Sequence, residues 1–189
     1  MHPRACPPWI GYLLALSPRR LVHDPGSLLG PFVRKGMTVL EPGPGMGFFT
    51  LELARRVGDP GRVVVVDIQP RMLGRLKRRA ENDGLLGRLD VRLVQPASMG
   101  LEDLAGQVDF AFAFAVVHEI SDAELFFQQC AASLKPDGSL LVAEPSGHVS
   151  AKLFEKELAA AARAGLIVAD RPVIRRSRAA LLRMSAAVP

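Results

Sequence analysis

Between residues 37 and 184 short apolar runs alternate with amphipathic segments, a glycine-rich loop follows the first run directly, and an acid ends the second. Together these observations predict an α/β fold, a three-layer sandwich in which helices cover both faces of a mostly parallel sheet. The runs are rich in Val, Leu and Phe without polar alternation, which is the pattern of strands buried on both faces.

The elements follow in order. Trp9, Tyr12, Leu13 and Leu16 recur at helical spacing and predict a short amphipathic helix. Asp24 before Pro25 reads as an N-cap with proline at the first helical position, opening a second helix that ends near Lys35 and Gly36. Residues 1–35 are thus expected to form an N-terminal helical cap on a domain spanning 36–189. Within that domain Thr38 to Glu41 is the first predicted strand, Phe48 to Arg56 a helix and Arg62 to Asp67 the second strand. Met72 to Asp83 reads as a helix, Val91 to Val94 and Asp109 to Ala115 as strands, and Asp122 to Leu134 as a helix. The sequence Lys135-Pro136-Asp137-Gly138 then stops the helix and turns the chain into Ser139 to Glu144, the fifth strand. Ala151 to Ala164, closed by Gly165, is the last helix, and Leu166 to Ile174 and Ala179 to Met184 are the last strands.

Composition narrows the function classes. With 189 residues, 49% hydrophobic and 23% charged, the chain falls among folded globular domains rather than disordered ones. The longest strictly apolar run, Phe110 to Val117, is far short of the roughly 18 residues that cross a bilayer. Ile10 to Leu16 lacks a small-residue cleavage site behind it, which argues against a secretory signal. Two cysteines, Cys6 and Cys130, show no metal-ligand or disulfide spacing, so a reduced cytoplasmic protein without a metal is expected. A net charge of +5, with clusters at Arg75 to Arg79 and Arg171 to Arg183, keeps nucleic acid among the partners to be weighed against solvated helix faces.

The chemistry is concentrated in Glu41-Pro42-Gly43-Pro44-Gly45-Met46-Gly47. Glycines at alternate positions between a strand and a helix let a ligand approach the backbone where a Cβ would collide. Asp67 ends the next strand about 20 residues on, where a carboxylate accepts hydrogen bonds from ribose hydroxyls. A dinucleotide fingerprint needs Gly or Ala at the sixth place from Gly43, which is Phe48, so the NAD-binding spacing fails. Glu41 adds a carboxylate that repels a pyrophosphate and favours an ammonium group, and S-adenosylmethionine carries an ammonium and a sulfonium.

The segment from Met37 to Met184 resembles the class I S-adenosylmethionine-dependent methyltransferases. Glu41 to Gly47 resembles their first motif, Asp67 their ribose-binding acid, Asp109 to Glu119 their fourth strand and its exit, and Leu134 to Leu141 their turn into strand five. The resemblance implies a Rossmann-like fold whose seven-stranded sheet ends in an antiparallel strand. It also implies S-adenosyl-L-methionine as cofactor, with Glu41, Gly43, Gly45, Met46, Gly47, Asp67, Ile68, Ser98, Ala113 and Phe114 as its contacts. The sequence departs from the family after strand three, where Gln95-Pro96-Ala97-Ser98-Met99 has no acid and leaves Ser98 for the adenine. Pro44 removes one N–H from the loop.

In the family the acceptor lies beyond strands four and five, where His118, Glu119, Glu144 and His148 fall. His118 is the best general base, being half-protonated near neutrality, with Glu119 either orienting it or facing solvent. Glu144 ends a buried strand, so it either titrates at a raised pH or caps a neighbouring helix. Trp9 and Tyr12 are candidates to line the acceptor or, equally, to staple the N-terminal helix. The glycine loop with Thr50 is also similar to ribosomal RNA adenine dimethyltransferases, but Ala113-Phe114-Ala115-Val116 lacks the proline, tyrosine or amide that would hold a base amine. A small-molecule methyl acceptor is therefore favoured over rRNA or tRNA, over an NAD-binding oxidoreductase and over an inactive S-adenosylmethionine-binding protein. Asp67→Ala is predicted to weaken S-adenosylmethionine binding by about 1.5 to 3 kcal/mol, the scale of hydrogen bonds to a charged group. Calorimetry checks this, and an unchanged dissociation constant would remove Asp67 from the site.

Overall fold

The computed structural model describes residues 23–185. The predicted first helix, with Trp9 and Tyr12, lies outside them. The chain divides into two compact units, one ending at Pro96 and one starting at Ala97. The first carries α1 (Pro25–Leu29), β1 (Thr38–Pro42), α2 (Thr50–Val57), β2 (Arg62–Asp67), α3 (Pro70–Asn82) and β3 (Leu89–Leu93). The second carries β4 (Val108–Phe114), α4 (Ala123–Ser133), β5 (Leu134–Pro145), α5 (Ala151–Arg163), β6 (Leu166–Asp170) and β7 (Ser177–Met184). The strands pair in the order β3-β2-β1 in the first unit and β4-β5-β7-β6 in the second, with β7 antiparallel to both its neighbours. This is the Rossmann-like arrangement with its reversed last strand.

In the first unit β1, β2 and β3 pair in parallel, Val39 opposite Val63 and Val63 opposite Leu89. Val63, Val64, Val65 and Val66 are all buried, because helices or neighbouring strands cover them on each side. On α3 the spacing of Met72, Leu73, Leu76 and Ala80 buries one stripe and leaves the basic residues to the other face. On α2 Leu51, Leu53, Ala54 and Val57 do the same, while Arg56 reaches Glu52 at 2.8 Å one turn back. Asp24 caps α1 as expected, accepting from the Ser27 N–H at 2.8 Å. The helix is shorter than predicted and stops at Leu29, where Gly30 follows and no amphipathic stripe continues it. Helix α2 also starts two residues late, since Phe48 belongs to the glycine turn and Phe49 stands at the N-cap.

In the second unit β4 and β5 pair in parallel, with β7 antiparallel beside β5. The expected turn at 135–138 appears as an irregularity inside the strand: Leu134 faces Val108, Ser139 faces Phe110, and the residues between loop out of the ladder. Asp122 caps α4 and Ser150 caps α5, each accepting an N–H three residues on. Strand β6 ends at Asp170 rather than Ile174, because Pro172 has no N–H for the ladder and the Asp170 carboxylate accepts from the Arg171 N–H at 2.7 Å.

Gly61, at the entry to β2, has no room for a side chain: a Cβ would stand 2.6 Å from the Val57 carbonyl oxygen and 2.9 Å from that of Met37. Both neighbours are backbone, so neither yields cheaply. Gly61→Ala is predicted to destabilise the fold by about 2 to 3 kcal/mol through overpacking, read as a fall in the denaturant midpoint.

Candidate functional site

Three positive-φ glycines shape the loop after β1, Gly43 at 65°, Gly45 at 56° and Gly47 at 82°. They serve different ends. At Gly45 a Cβ would meet nothing within 4 Å, so the backbone is open to a ligand. At Gly47 it would stand 2.4 Å from Leu76 Cδ1, so the glycine lets α3 pack under the loop. The Gly43 N–H donates to the Val66 carbonyl at 2.9 Å, which ties the loop to the end of β2.

Glu41 is 3% exposed and its Oε2 accepts from the Thr50 hydroxyl at 2.5 Å, joining the end of β1 to the first turn of α2. Asp67, partly exposed at the end of β2, accepts from the Gln69 N–H through Oδ1 at 2.8 Å. Beside it Ile68 is 46% exposed, an apolar side chain of the kind a flat base covers. From α3, Arg79 donates to the Met46 carbonyl and Arg75 lies 3.5 Å from its sulfur. These two arginines stood in the basic cluster that kept nucleic acid in view, and the loop engages both. In the second cluster Arg171 pairs with Glu155 and Arg178 donates to the Val149 carbonyl at 3.0 Å. An open, glycine-lined backbone, a buried acid and a strand-end acid fit the ammonium, carboxylate and ribose of S-adenosylmethionine.

In the second unit the chain leaves β4 through Phe114 and makes an unusual bend. Ala115 has φ 57°, a left-handed conformation that costs a non-glycine residue about 1 kcal/mol. The bend is used at once. The N–H groups of Val116 and Val117 turn onto Glu144 Oε1, at 3.1 and 2.8 Å. Glu144 Oε2 binds His118 Nδ1 from the short 3₁₀ turn Val117–Glu119. The Glu144 side chain is fully buried and that of His118 is 19% exposed, so the pair has one protected and one accessible end.

The hydrogen bond to Glu144 holds the His118 imidazole above its ordinary 6.5, against the opposing effect of burial. Of the readings expected of Glu144, capping is present, at the turn after β4, and the carboxylate also holds the histidine, a role the sequence did not assign to it. Glu119 does not hold His118 in this way; that place belongs to Glu144. The exposed ring of His148 stands edge-on to His118, centroids 6.2 Å apart. Ala113 is buried near the end of β4, and the Ser98 hydroxyl accepts from the Gly100 N–H at 3.1 Å, steadying its own turn.

Sequence reasoning missed Glu157. It lies on the buried face of α5 at 5% exposure, and burial together with the Glu144 charge pushes its carboxyl up to about 7. Its helical spacing from Phe154, Leu158 and Ala161 was the available signal. Among the described residues no group of three or more acids, histidines or cysteines is arranged to hold a metal ion. Nor is any helix there long and apolar enough to cross a membrane.

A sequence profile described as a methyltransferase domain matches residues 39–138. A ubiquinone/menaquinone biosynthesis C-methyltransferase of Enterobacter is 35% identical over 112 residues, 59% of this chain and 44% of that protein. The corresponding protein of Idiomarina loihiensis is 33% identical over 64% of this chain and 47% of its own length. The matches thus span less than half of these relatives. Among solved structures, an S-adenosylmethionine-dependent methyltransferase from Aquifex aeolicus superposes with a TM-score of 0.84 at 24% identity, covering 96% of this chain and 100% of that one. A geranyl diphosphate C-methyltransferase from Streptomyces coelicolor gives 0.67 at 15% identity, over 84% and 76%.

Since the folded pKa of His118 is raised, its contribution to stability is complete below pH 6.5 and is lost as pH rises through the folded value. In Glu144→Gln only burial and weaker, more distant charges remain. The imidazole midpoint, followed by NMR, is predicted to lie above 6.5 in the wild type and to fall in the variant. A midpoint that does not move would separate Glu144 from the shift.

Proposed function

Because this chain belongs to the class I S-adenosylmethionine-dependent methyltransferases, we propose that it methylates a small-molecule acceptor that must lose a proton as the new bond forms, with His118 as the base. The observation that carries this reading is the buried Glu144 carboxylate on His118 Nδ1. A neutral imidazole that donates from Nδ1 presents the Nε2 lone pair on its accessible side. Proton uptake there makes an imidazolium whose charge Glu144 stabilises, so the carboxylate strengthens the base and fixes its tautomer and orientation.

When bound, S-adenosylmethionine supplies a methyl group already activated on sulfonium. The chain's task is then to place the nucleophile and remove its proton. The glycine loop holds the donor through its backbone, with Arg79 bracing the loop at the Met46 carbonyl. Glu41 supplies negative charge on the ammonium side, and Asp67 receives the ribose. Ile68, Ser98, Ala113 and Phe114 complete the proposed cofactor contacts, Trp9 and Tyr12 are proposed to cover the acceptor, and residues 1–35 are proposed as a cap. The names of the curated relatives and of the Streptomyces neighbour both concern methyl transfer to carbon in small molecules, which supports the same acceptor class here. A cytoplasmic location belongs to the same proposal, supported by the free, buried Cys130.

His118→Ala is predicted to lower kcat/KM by about 100- to 10,000-fold, the usual contribution of a positioned acid or base, while S-adenosylmethionine binds as before. Turnover of acceptors screened as phenols, enols and amines, with calorimetry on the same preparation, checks it. Equal loss of binding and turnover would place His118 on the cofactor instead.

A further inference from the structure

Helix α5 buries Phe154, Glu157, Leu158, Ala160 and Ala161, and Glu157 is the one ionisable member of that face. Both its carboxyl oxygens are shut off from solvent and neither has a hydrogen-bond partner. Lys152 and Lys156 of α5 lie on its exposed face, and three arginines of α5 and the strands that follow have partners of their own. Arg163 on α5 binds Glu124 of α4 at 2.6 Å, and Arg171 beyond β6 binds Glu155. Arg178 of β7, opposite Glu144 in the ladder, donates to the Val149 carbonyl. Asp170 of β6 accepts from the backbone of Arg171. The charges that act on Glu157 are those of Glu144 on β5 and of His118, and His118 in turn feels Glu144, Glu119 and Glu157.

A buried carboxyl with no partner is costly to the fold whether it is charged or not, and an apolar residue of similar size is the more stable occupant. The charges of the histidine–carboxylate pair act on this buried carboxyl, so its own charge acts back on the pair. We propose that Glu157 is a positioning residue for His118, a buried, unpartnered carboxyl whose ionisation adds a second negative charge to that of Glu144 and raises the proton affinity of the imidazole. Protonated, Glu157 leaves the imidazole to Glu144 alone; ionised, with its proton released to bulk water, it makes His118 a stronger base. The two groups then titrate together rather than as independent sites. Near neutrality Glu157 changes state, since burial first and Glu144 second push it up to about 7 while His118 acts in the opposite sense.

The proposal rests on His118 as the base, but its test does not need the acceptor. The His118 imidazole is titrated by NMR in the wild type, Glu157→Gln and Glu157→Leu, alongside their thermal midpoints. The wild-type curve is expected to be broader than a single-site titration. In both variants it should become single-site, with its midpoint lower by ~0.3 to 1 pH unit. Glu157→Leu should be at least as heat-stable as the wild type. A His118 curve unchanged in Glu157→Gln overturns the proposal. So does a Glu157→Leu protein less stable than the wild type with His118 titrating as before, because Glu157 is then a packing residue only. Either result leaves the His118→Ala test untouched, so the role of Glu157 and the role of His118 fail separately.

Discussion

A carboxylate with no exposure to water must find its partners inside the protein, and Glu144 finds three: the N–H groups of Val116 and Val117 and the Nδ1 of His118. Removing one partner of such a buried charge typically costs about 3 to 5 kcal/mol, so the turn after β4 is not free to choose another conformation. The left-handed Ala115 follows from this constraint, since its strain of about 1 kcal/mol is small beside the bonds it aligns. One acid at the end of β5 therefore fixes the exit of β4, the direction of the imidazole and its affinity for a proton. The chemistry proposed for this unit inherits its geometry from that single side chain.

The first unit solves a different problem with backbone. Its loop must bring peptide groups close to a ligand, and positive φ at Gly43, Gly45 and Gly47 makes that path available. Open space at Gly45 and tight packing at Gly47 show that glycines of one motif answer to separate demands, one leaving the backbone uncovered and one facing Leu76. Glu41 is also shared between tasks. Its hydrogen bond to Thr50 locks β1 to α2, while its charge remains beside the loop where an ammonium is favoured.

Much of this was legible in the sequence because it is local. Arg62 to Asp67 has the ends its sequence predicts, since four consecutive valines between Arg62 and Asp67 leave one interpretation. Asp24, Asp122 and the glycine loop were legible for the same reason, each being defined by neighbours within a few residues. The misreadings lay where tertiary contacts decide. The register jump at 134–139 looked like a plain turn because the sequence does not say that Leu134 pairs with Val108. The sequence leaves Glu119 either beside His118 or in solvent, whereas the hydrogen-bond partner of His118 is 26 residues away. Glu157 escaped notice because an acid on an alanine-rich helix reads as solvent-facing until the face it lies on is known to be buried.

We propose that the loop from Glu41 to Gly47, with Asp67, holds an adenosine-bearing sulfonium and not a dinucleotide. Calorimetric titration of the purified protein with S-adenosylmethionine, S-adenosylhomocysteine and NAD, run side by side, tests it most directly. Heats of binding are expected with the first two and none with NAD. Binding of NAD alone, or of none of the three, would contradict it.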